Sequence, residues 1–329
     1  MKVVIPGGSG QVGTILARTF HRNGDDVVVL SRHPATRPWR VVKWDASSAG
    51  DWQRELDGCD VVINLAGRSV NCRYTADNRR EILQSRVVAT RLVGKAIADA
   101  TRPPAVWLQA STATIYAHRF DAPNDEYSGV LGGGEPRAPG TWRFSIDVAR
   151  AWEREFDDAV TRRTRKVALR SALTLSPDSG GIFDTLLGLV RRGLGGTAGG
   201  GDQFVSWVHE EDFVAAVRWL IDRSDIHGIV NVAAPNPLPN AAFMRTLREA
   251  WGASFGLPAS RWMLEIGAVF MRTETELILK SRRVVPARLL DQGFTFAYPH
   301  WRDAADDLCR RWRIAATGLS LPAGSCASG

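Results

Sequence analysis

The residues best suited to chemistry lie near the amino terminus. A glycine-rich run there consists of Gly7, Gly8, Ser9, Gly10, Gln11, Val12 and Gly13. It fits both the G-x-G-x-x-G and the G-x-x-G-x-x-G spacing, and it lies between an apolar run and a segment with helical periodicity. At such a junction the glycines let the backbone approach a pyrophosphate, which the free N–H groups of the helix attract. The run predicts a dinucleotide site; the alternative is a turn that only connects strand to helix.

The residues after the second apolar run indicate which dinucleotide is bound. Enzymes that use NAD usually carry Asp or Glu about 20 residues beyond the glycines, where the carboxylate binds the ribose 2′-hydroxyl. This chain has Ser31 and Arg32 there. A hydroxyl and a guanidinium suit a 2′-phosphate, because Arg forms charge-assisted bidentate hydrogen bonds and stacks on adenine. The pair predicts NADP; the alternative is that Arg32 is a surface arginine that follows a strand.

The segments that must position these residues alternate between two patterns. Strands are predicted for the β-branched runs Lys2–Pro6, Asp26–Leu30, Arg40–Trp44, Asp60–Leu65, Ala105–Ala110, Lys166–Leu173 and Gly228–Ala233. Helices are predicted at Gln11–Arg22, Thr75–Ala100 and Thr141–Val160, and from Glu210. The alternation indicates βαβ units, and strands that are apolar on both faces belong in a parallel sheet covered by helices. We expect an α/β fold, a Rossmann-like doubly wound parallel sheet with a smaller, mostly helical C-terminal substrate domain.

The pattern loosens after about residue 175. Residues 193–201 are rich in glycine, three prolines follow residue 234, and the chain is then mostly helical through Trp301–Trp312. We expect residues 1–175 and 205–234 to bind NADP and residues 176–204 and 235–314 to form the substrate domain. Residues 315–329 are small and polar, which predicts a disordered tail.

Composition limits the class of protein. The 329 residues are 44% hydrophobic and 23% charged, which excludes a disordered, collagen-like or coiled-coil chain. No apolar stretch approaches the roughly 20 residues of a membrane-spanning helix, so no membrane partner is expected. The net charge of +7 is spread along the chain as arginine pairs, which favours an anionic cofactor or substrate over nucleic acid. Scattered cysteines, no metal-ligand spacing and no signal peptide favour a metal-free cytoplasmic protein.

Further motifs resemble the short-chain dehydrogenase/reductase superfamily, in its extended and atypical branches. Asn64-Leu65-Ala66-Gly67 is similar to that family's adenine-side motif, and Ser111-Thr112-Ala113-Thr114-Ile115-Tyr116 is similar to its fifth-strand signature. Other matches narrow the resemblance to NAD(P)-dependent "epimerase family" proteins with a characteristic C-terminal domain. They are Ser85-Arg86, Thr90-Arg91, Trp152-Glu153, Phe204–His209, Asp212, Asn231–Asn236, Ser281–Pro286 and Gly293–Pro299. The resemblance covers about residues 1 to 313.

The resemblance implies an NADP-binding domain and assigns cofactor contacts beyond the glycine run, Ser31 and Arg32. The additional contacts are Leu65, Ala66, Gly67, Arg86, Ser111, Ser171 and Leu173. A small-molecule substrate is implied but not named, since many members of the group are called epimerases by similarity. If the predicted helices at 75–100 and 141–160 pack as they do in related dehydrogenases, a homodimer is expected.

One departure from the family concerns the reaction. The superfamily uses Tyr-x-x-x-Lys, in which Lys lowers the pKa of the tyrosine that exchanges a proton with the substrate oxygen. The helix that should carry this pair has Phe144 and Val148 instead. Phe has no proton to exchange, and Val has no positive charge. The standard mechanism is therefore not expected.

Three residues at the end of the fifth strand are the catalytic candidates. Thr112 aligns with the family's Ser/Thr, which hydrogen-bonds a substrate oxygen. Tyr116 lies where open α/β sheets bind ligands, and His118 titrates near neutral pH. The alternatives are a structural tyrosine under the cofactor loop and an exposed loop histidine.

The sequence leaves three functions open. We expect an NADP(H)-dependent oxidoreductase that acts on a small carbonyl or hydroxyl compound, with the cofactor performing the hydride chemistry. The first alternative is a sugar-nucleotide epimerase or dehydratase, against which the missing Tyr/Lys pair argues. The second is a non-catalytic NADP(H)-binding regulatory protein.

Overall fold

A parallel sheet of seven strands forms the centre of the protein, in a computed structural model that describes residues 1–135, 139–259 and 276–317. The strands are β1 (Lys2–Pro6), β2 (Asp26–Ser31), β3 (Arg40–Lys43), β4 (Val61–Asn64), β5 (Val106–Thr112), β6 (Arg165–Ser171) and, later in the chain, β10 (Gly228–Val232). Their order is β10-β6-β5-β4-β1-β2-β3. The order reverses between β1 and β4, which is the doubly wound topology, and the predicted fold is confirmed.

One predicted strand and one apolar run are each divided in the structure. The run at 166–173 becomes β6 and a separate β7 (Leu173–Leu175), and the apolar run after residue 203 becomes β8 (Phe204–Val205) and β9 (Trp207–His209). The short strands pair outside the main sheet, β7 with β9 and β8 with β11 (Leu238–Pro239). At the second break the hydroxyl of Ser206 donates to the carbonyl of Arg282, 2.6 Å away. The chain thus leaves the sheet at the place where the C-terminal residues meet it.

Helices cover both faces of the sheet and continue beyond it. They are α1 (Gln11–Arg22), α2 (Ala76–Asp99), α3 (Gly140–Asp158), α4 (Ile182–Arg191), α5 (Glu210–Asp222), α6 (Asn240–Trp251), α7 (Glu276–Leu279), α8 (Ala287–Asp291) and α9 (Trp301–Thr317). Helix α9 runs to Thr317, past the predicted start of a disordered tail at residue 315, and the rest of that tail lies outside the described residues. None of the described helices is both long and apolar enough to cross a bilayer.

The alternation of side chains explains why the strands have continuous apolar sequences. Val3 and Ile5 pack in a core with α1 and α5, whereas Val4, between them, packs in a second core with α2. Successive strand residues point to opposite faces, so a sheet with helices on both sides needs apolar residues at every position. A third core joins the helices of the C-terminal part, where the rings of Trp301 and Phe243 stack 4.1 Å apart.

Candidate functional site

The glycine-rich run makes the turn from β1 into α1, and two of its glycines are required by close packing. Gly7 has φ +75°, and a Cβ there would lie 2.6 Å from the backbone of Ala66. A Cβ on Gly13 would lie 2.4 Å from the Cα of Gly8. The loop after β4 and the first turn of α1 therefore approach the run more closely than any side chain would allow.

The amino terminus of α1 is open. Its N-cap, Gly10, provides no side-chain cap, and no acidic residue lies in the first turn. A Cβ on Gly10 would have no atom within 4 Å. The next residue, Gln11, has a buried Nε2 with no hydrogen-bond partner among the described residues. Free backbone N–H groups at a helix start attract anions, so this end of α1 fits a phosphate group.

A cavity of about 640 Å³ lies at the carboxyl ends of β1, β2 and β4, beside this helix start. Those ends meet at the point where the strand order reverses, and open α/β sheets bind ligands there. Many of the predicted cofactor residues line it: Gly7, Ser9, Gly10, Ser31, Arg32, Leu65, Ala66 and Gly67. The structure thus brings together the glycine run, the end of β2 and the loop after β4.

Residues that the sequence reasoning missed also line this cavity. They are Trp44, Asp45, Ala46 and Ser47 after β3, Arg68 and Ser69, and Glu81, Gln84, Ser85 and Val88 of α2. The Asp45 carboxylate accepts hydrogen bonds from the Ser48 hydroxyl and from the N–H groups of Ser47 and Ser48. These bonds hold the pKa of Asp45 well below its usual range. The predicted strand Arg40–Trp44 is the sequence signal that could have indicated residues 44–47, because its carboxyl end lies at the same edge of the sheet as those of β1, β2 and β4.

The two arginines that line the large cavity differ in their partners. Arg68 forms an ion pair with Glu81. Arg32 is exposed at the end of β2 and belongs to none of the ion pairs among the described residues. Beside it, the buried Ser31 hydroxyl accepts from the N–H of His33 at 3.2 Å. Arg32 is therefore the cavity cation available for a ligand anion.

A second cavity, of about 230 Å³, lies beyond the carboxyl end of β5. It is lined by Val70, Tyr74, Ile82, Arg86, Ser111, Thr112, Thr114, Phe144, Ser145, Val148, Ala149 and Trp152. Phe144 and Val148, which occupy the positions of the family's Tyr and Lys, are thus in the wall of this cavity. The cavity therefore lies where the superfamily places its reacting Tyr and Lys, but the side chains at those two positions of this chain are apolar.

Arg86 lies between the two cavities. A Cβ on Gly67, which lines the large cavity, would meet the Arg86 side chain at 3.2 Å, and Arg86 itself lines the small one. Its guanidinium donates to the carbonyl of Ile82 at 3.0 Å and lies 5.0 Å from the ring centre of Trp152. Burial lowers the pKa of Arg86 to about 10, and no described carboxylate offsets that burial. A desolvated cation without a counter-ion favours a ligand with negative charge.

The three predicted catalytic residues have different surroundings. Thr112 lines the small cavity, and its Oγ1 accepts from the N–H of Thr114 at 3.1 Å. Tyr116 and His118 line neither cavity. The Tyr116 hydroxyl donates to Asn231 at 3.0 Å, and the N–H of Ser281 donates to Nδ1 of His118 at 2.7 Å.

These contacts define the surroundings of Tyr116 and His118. Burial raises the pKa of the Tyr116 phenol and lowers the pKa of the His118 imidazole. Each side chain connects the end of β5 to a later part of the chain and lines neither of the two cavities.

Six predicted cofactor residues also line neither cavity: Gly8, Gln11, Val12, Gly13, Ser171 and Leu173. Gly8 and Gly13 act through the packing described above. Ser111 lines the small cavity, but its hydroxyl donates to Glu153 at 2.5 Å, inside the buried Glu153–Arg170 ion pair. Gly8, Gly13 and Ser111 thus contribute to the site through packing and internal hydrogen bonds.

Comparison with known proteins identifies the family. The model of the NAD dependent epimerase/dehydratase family matches residues 3–233. The chain belongs to the NAD dependent epimerase/dehydratase family. Residues 259–308 of this family member match a domain of unknown function, DUF1731. The resemblance inferred from the motifs, including a characteristic C-terminal domain, is confirmed.

This chain matches similar members of the family over nearly their whole length. The human epimerase family protein SDR39U1 is 31% identical over 91% of this chain and 96% of its own. Epimerase family protein YfhF of Bacillus subtilis is 30% identical over 91% of this chain and 94% of its own. A crystal structure of human SDR39U1, isoform 2, with NADPH superposes with a TM-score of 0.81 at 30% identity, covering 94% of this chain and 99% of that one.

Proposed function

We propose that this epimerase/dehydratase family protein is an NADP(H)-dependent oxidoreductase that acts on a small carbonyl or hydroxyl compound. The observation that carries the proposal is Arg32, a cavity cation without a carboxylate partner among the described residues, beside Ser31 at the end of β2. A bidentate guanidinium is well matched to a 2′-phosphate. The human relative that was crystallised with NADPH supports the same cofactor.

The chain has a suitable group for each part of the dinucleotide. The uncapped start of α1 would hold the pyrophosphate, and Ser31 and Arg32 would hold the 2′-phosphate. Leu65–Gly67 would lie along the cofactor, and Arg86 would meet its reacting end near the small cavity. In this proposal residues 1–175 and 205–234 bind the cofactor. When bound, NADPH supplies a hydride to a carbonyl carbon.

The small cavity indicates the kind of substrate. At about 230 Å³ it is smaller than most drug-sized pockets. Phe144, Val148 and Trp152 give it apolar walls, and Thr112 offers a hydroxyl at the end of β5. A compact, largely apolar carbonyl compound would fit these walls better than the polar sugar of a nucleotide sugar.

Binding measurements with both cofactors test the proposal. Replacing Arg32 with Ala should remove a charge-assisted interaction worth about 1.5–3 kcal/mol in total, and so weaken NADPH binding by roughly 10- to 150-fold. NADH binding should change little. Arg37→Ala, an exposed arginine in the following loop that lines neither cavity, is the matched control. Equal losses for NADPH and NADH, or none for either, would contradict the assignment.

Turnover is tested separately. The protein with NADPH is mixed with a panel of small aldehydes and ketones, and NADPH oxidation is followed by absorbance. The proposal expects conversion of at least one apolar carbonyl compound. Tight NADPH binding with no conversion across the panel would instead favour the non-catalytic alternative.

A further inference from the structure

The small cavity contains a tyrosine that no sequence motif singled out. Tyr74 precedes α2, is 8% exposed, and lines the cavity together with Phe144 and Ser145. Its ring meets the ring of Phe144 edge-on at 5.1 Å. A phenol therefore lies directly beside the position at which the superfamily carries its catalytic tyrosine.

The Tyr74 hydroxyl belongs to a hydrogen-bonded chain. It lies 3.4 Å from Oγ of Ser145, and that Oγ donates to Oε2 of Glu276 at 2.6 Å. Because the Ser145 hydroxyl donates its proton to Glu276, its oxygen is left to accept from the Tyr74 phenol. At 3.4 Å the tyrosine contact is long, so Ser145 holds the phenol proton only weakly.

Glu276 belongs to the C-terminal part of the chain. It is buried in α7, inside the region that matches DUF1731 and outside the epimerase/dehydratase match. Its other oxygen, Oε1, lies 3.9 Å from Nζ of the buried Lys280, which donates to the carbonyl of Thr114 at 2.8 Å. The C-terminal part thus extends to the wall of the small cavity, where Glu276 accepts the hydrogen bond of the Ser145 hydroxyl.

Positive charge surrounds the phenol. Arg86, which lines the same cavity, and the half-buried Arg282 both interact electrostatically with Tyr74. The Nε of Arg282 donates to the hydroxyl of Thr114, another cavity residue, at 3.2 Å. A nearby cation stabilises a phenolate. In the family's pair that stabilisation comes from Lys, and here two guanidinium groups are placed to supply it.

We propose that Tyr74 is the acid–base residue of this protein, with Ser145 and Glu276 as positioning residues. The inference rests on the oxidoreductase function proposed above. As the carbonyl carbon gains the hydride from NADPH, the C–O π bond breaks and the oxygen takes the proton from Oη of Tyr74. The phenolate, stabilised by Arg86 and Arg282, then takes a proton from water. Alcohol oxidation is the reverse, with hydride passing to NADP⁺.

A titration without substrate tests the charge around the phenol. The chain has four tyrosines, and the pKa values of the other three, Tyr116, Tyr127 and Tyr298, are all raised, that of Tyr298 to about 12. Among the described residues, the ionisable groups near Tyr74 include Arg79, which donates to the Tyr74 backbone carbonyl, Arg86 of α2, Arg282 and, through Ser145, Glu276.

Tyrosinate formation is therefore followed by ultraviolet absorbance in the wild type and in variants. We expect the tyrosine that ionises at the lowest pH to disappear in Tyr74→Phe and to remain in Tyr127→Phe, an exposed control. Arg86→Gln should move that ionisation to higher pH. If the first ionisation persists in Tyr74→Phe, the cations do not act on this phenol and the proposal is overturned.

Kinetics test the proton transfer itself. With a carbonyl compound from the panel, Tyr74→Phe should lower kcat by about 10²- to 10⁴-fold, the usual contribution of general acid catalysis, while the Kd for NADPH stays unchanged. Ser145→Ala should lower kcat less and shift its pH profile, and Ser145→Thr, which keeps the hydroxyl, should restore the profile. Tyr127→Phe should match the wild type.

The outcomes separate the two proposals. Wild-type kcat in Tyr74→Phe, with NADPH oxidation intact, overturns the role of Tyr74 and leaves the oxidoreductase function standing. Failure of the wild type to bind or oxidise NADPH overturns both. An unchanged pH profile in Ser145→Ala overturns the positioning role of Ser145 and Glu276.

Discussion

Replacing Gly10 with aspartate should stabilise the fold and abolish dinucleotide binding. Gly10 is the N-cap of α1, with φ −73° and ψ 176°, which any residue can adopt, and a Cβ there would have no atom within 4 Å. An aspartate carboxylate accepts from the free N–H groups of the first turn and lies at the positive end of the helix dipole. Relative to glycine this should increase the free energy of unfolding by about 0.5–1 kcal/mol.

The same carboxylate would occupy the place of the ligand phosphate. Two like unit charges 4 Å apart repel by about 4 kcal/mol near a protein surface, and this corresponds to roughly thousandfold weaker binding. The stability and the affinity should therefore change in opposite directions. This is the expected behaviour of a helix start that is left uncapped because a ligand caps it.

Denaturant unfolding of the ligand-free protein and NADPH titration by tryptophan fluorescence provide the two measurements. Gly10→Asn is the matched control, because asparagine is an equally good N-cap of similar size without the charge. It should give most of the stability gain with a smaller loss of affinity. NADPH binding within a few-fold of wild type in Gly10→Asp would refute the placement of a phosphate at this helix start.

Two predictions concern stability. Arg170→Met should lower the free energy of unfolding by about 3–5 kcal/mol, because it leaves the buried Glu153 carboxylate without its cation. The control is Arg91→Met, which breaks an equally bidentate but exposed pair with Glu155. In the same denaturant assay this variant should lower the free energy of unfolding by less than about 1 kcal/mol. Burial lowers the pKa of Lys280 from 10.5 to about 8, so between those pH values the unfolded chain binds more protons and the free energy of unfolding should rise with pH, by about 3 kcal/mol. Lys280→Met should remove that rise, and a rise of the same size in the variant would contradict the assignment.

The local patterns predicted most of the sheet. All six strands predicted in the first half of the chain are present, and α1 has its predicted bounds, Gln11–Arg22. These elements are encoded by residues close in sequence, through apolar periodicity and glycines at turns. The breaks at Ala172 and Ser206 were not predicted, because they depend on contacts with later parts of the chain: Ala172 donates to Val232, and Ser206 to Arg282.

The candidate cofactor cavity was predictable for a similar reason. Glycines at a strand-to-helix turn and Arg32 at the end of β2 act where the sheet topology places every strand end, so position along the chain is nearly sufficient. Tyr116 shows the limit of the same logic. It does lie at the end of β5, but its side chain turns to Asn231, 115 residues away, which no local pattern could indicate.

By itself, the sequence determined the doubly wound fold, the family and the dinucleotide loop, because each is encoded in spacing along a continuous segment. It also showed that the Tyr-x-x-x-Lys pair is missing. Only the tertiary structure decided what surrounds the two positions where the family carries Tyr and Lys. Tyr74, Ser145 and Glu276 come from three separate segments, and packing brings them into one hydrogen-bonded chain. Likewise, the availability of Arg32 and Arg86 depends on which carboxylates fold next to them, and this is a property of the packed chain and not of any motif.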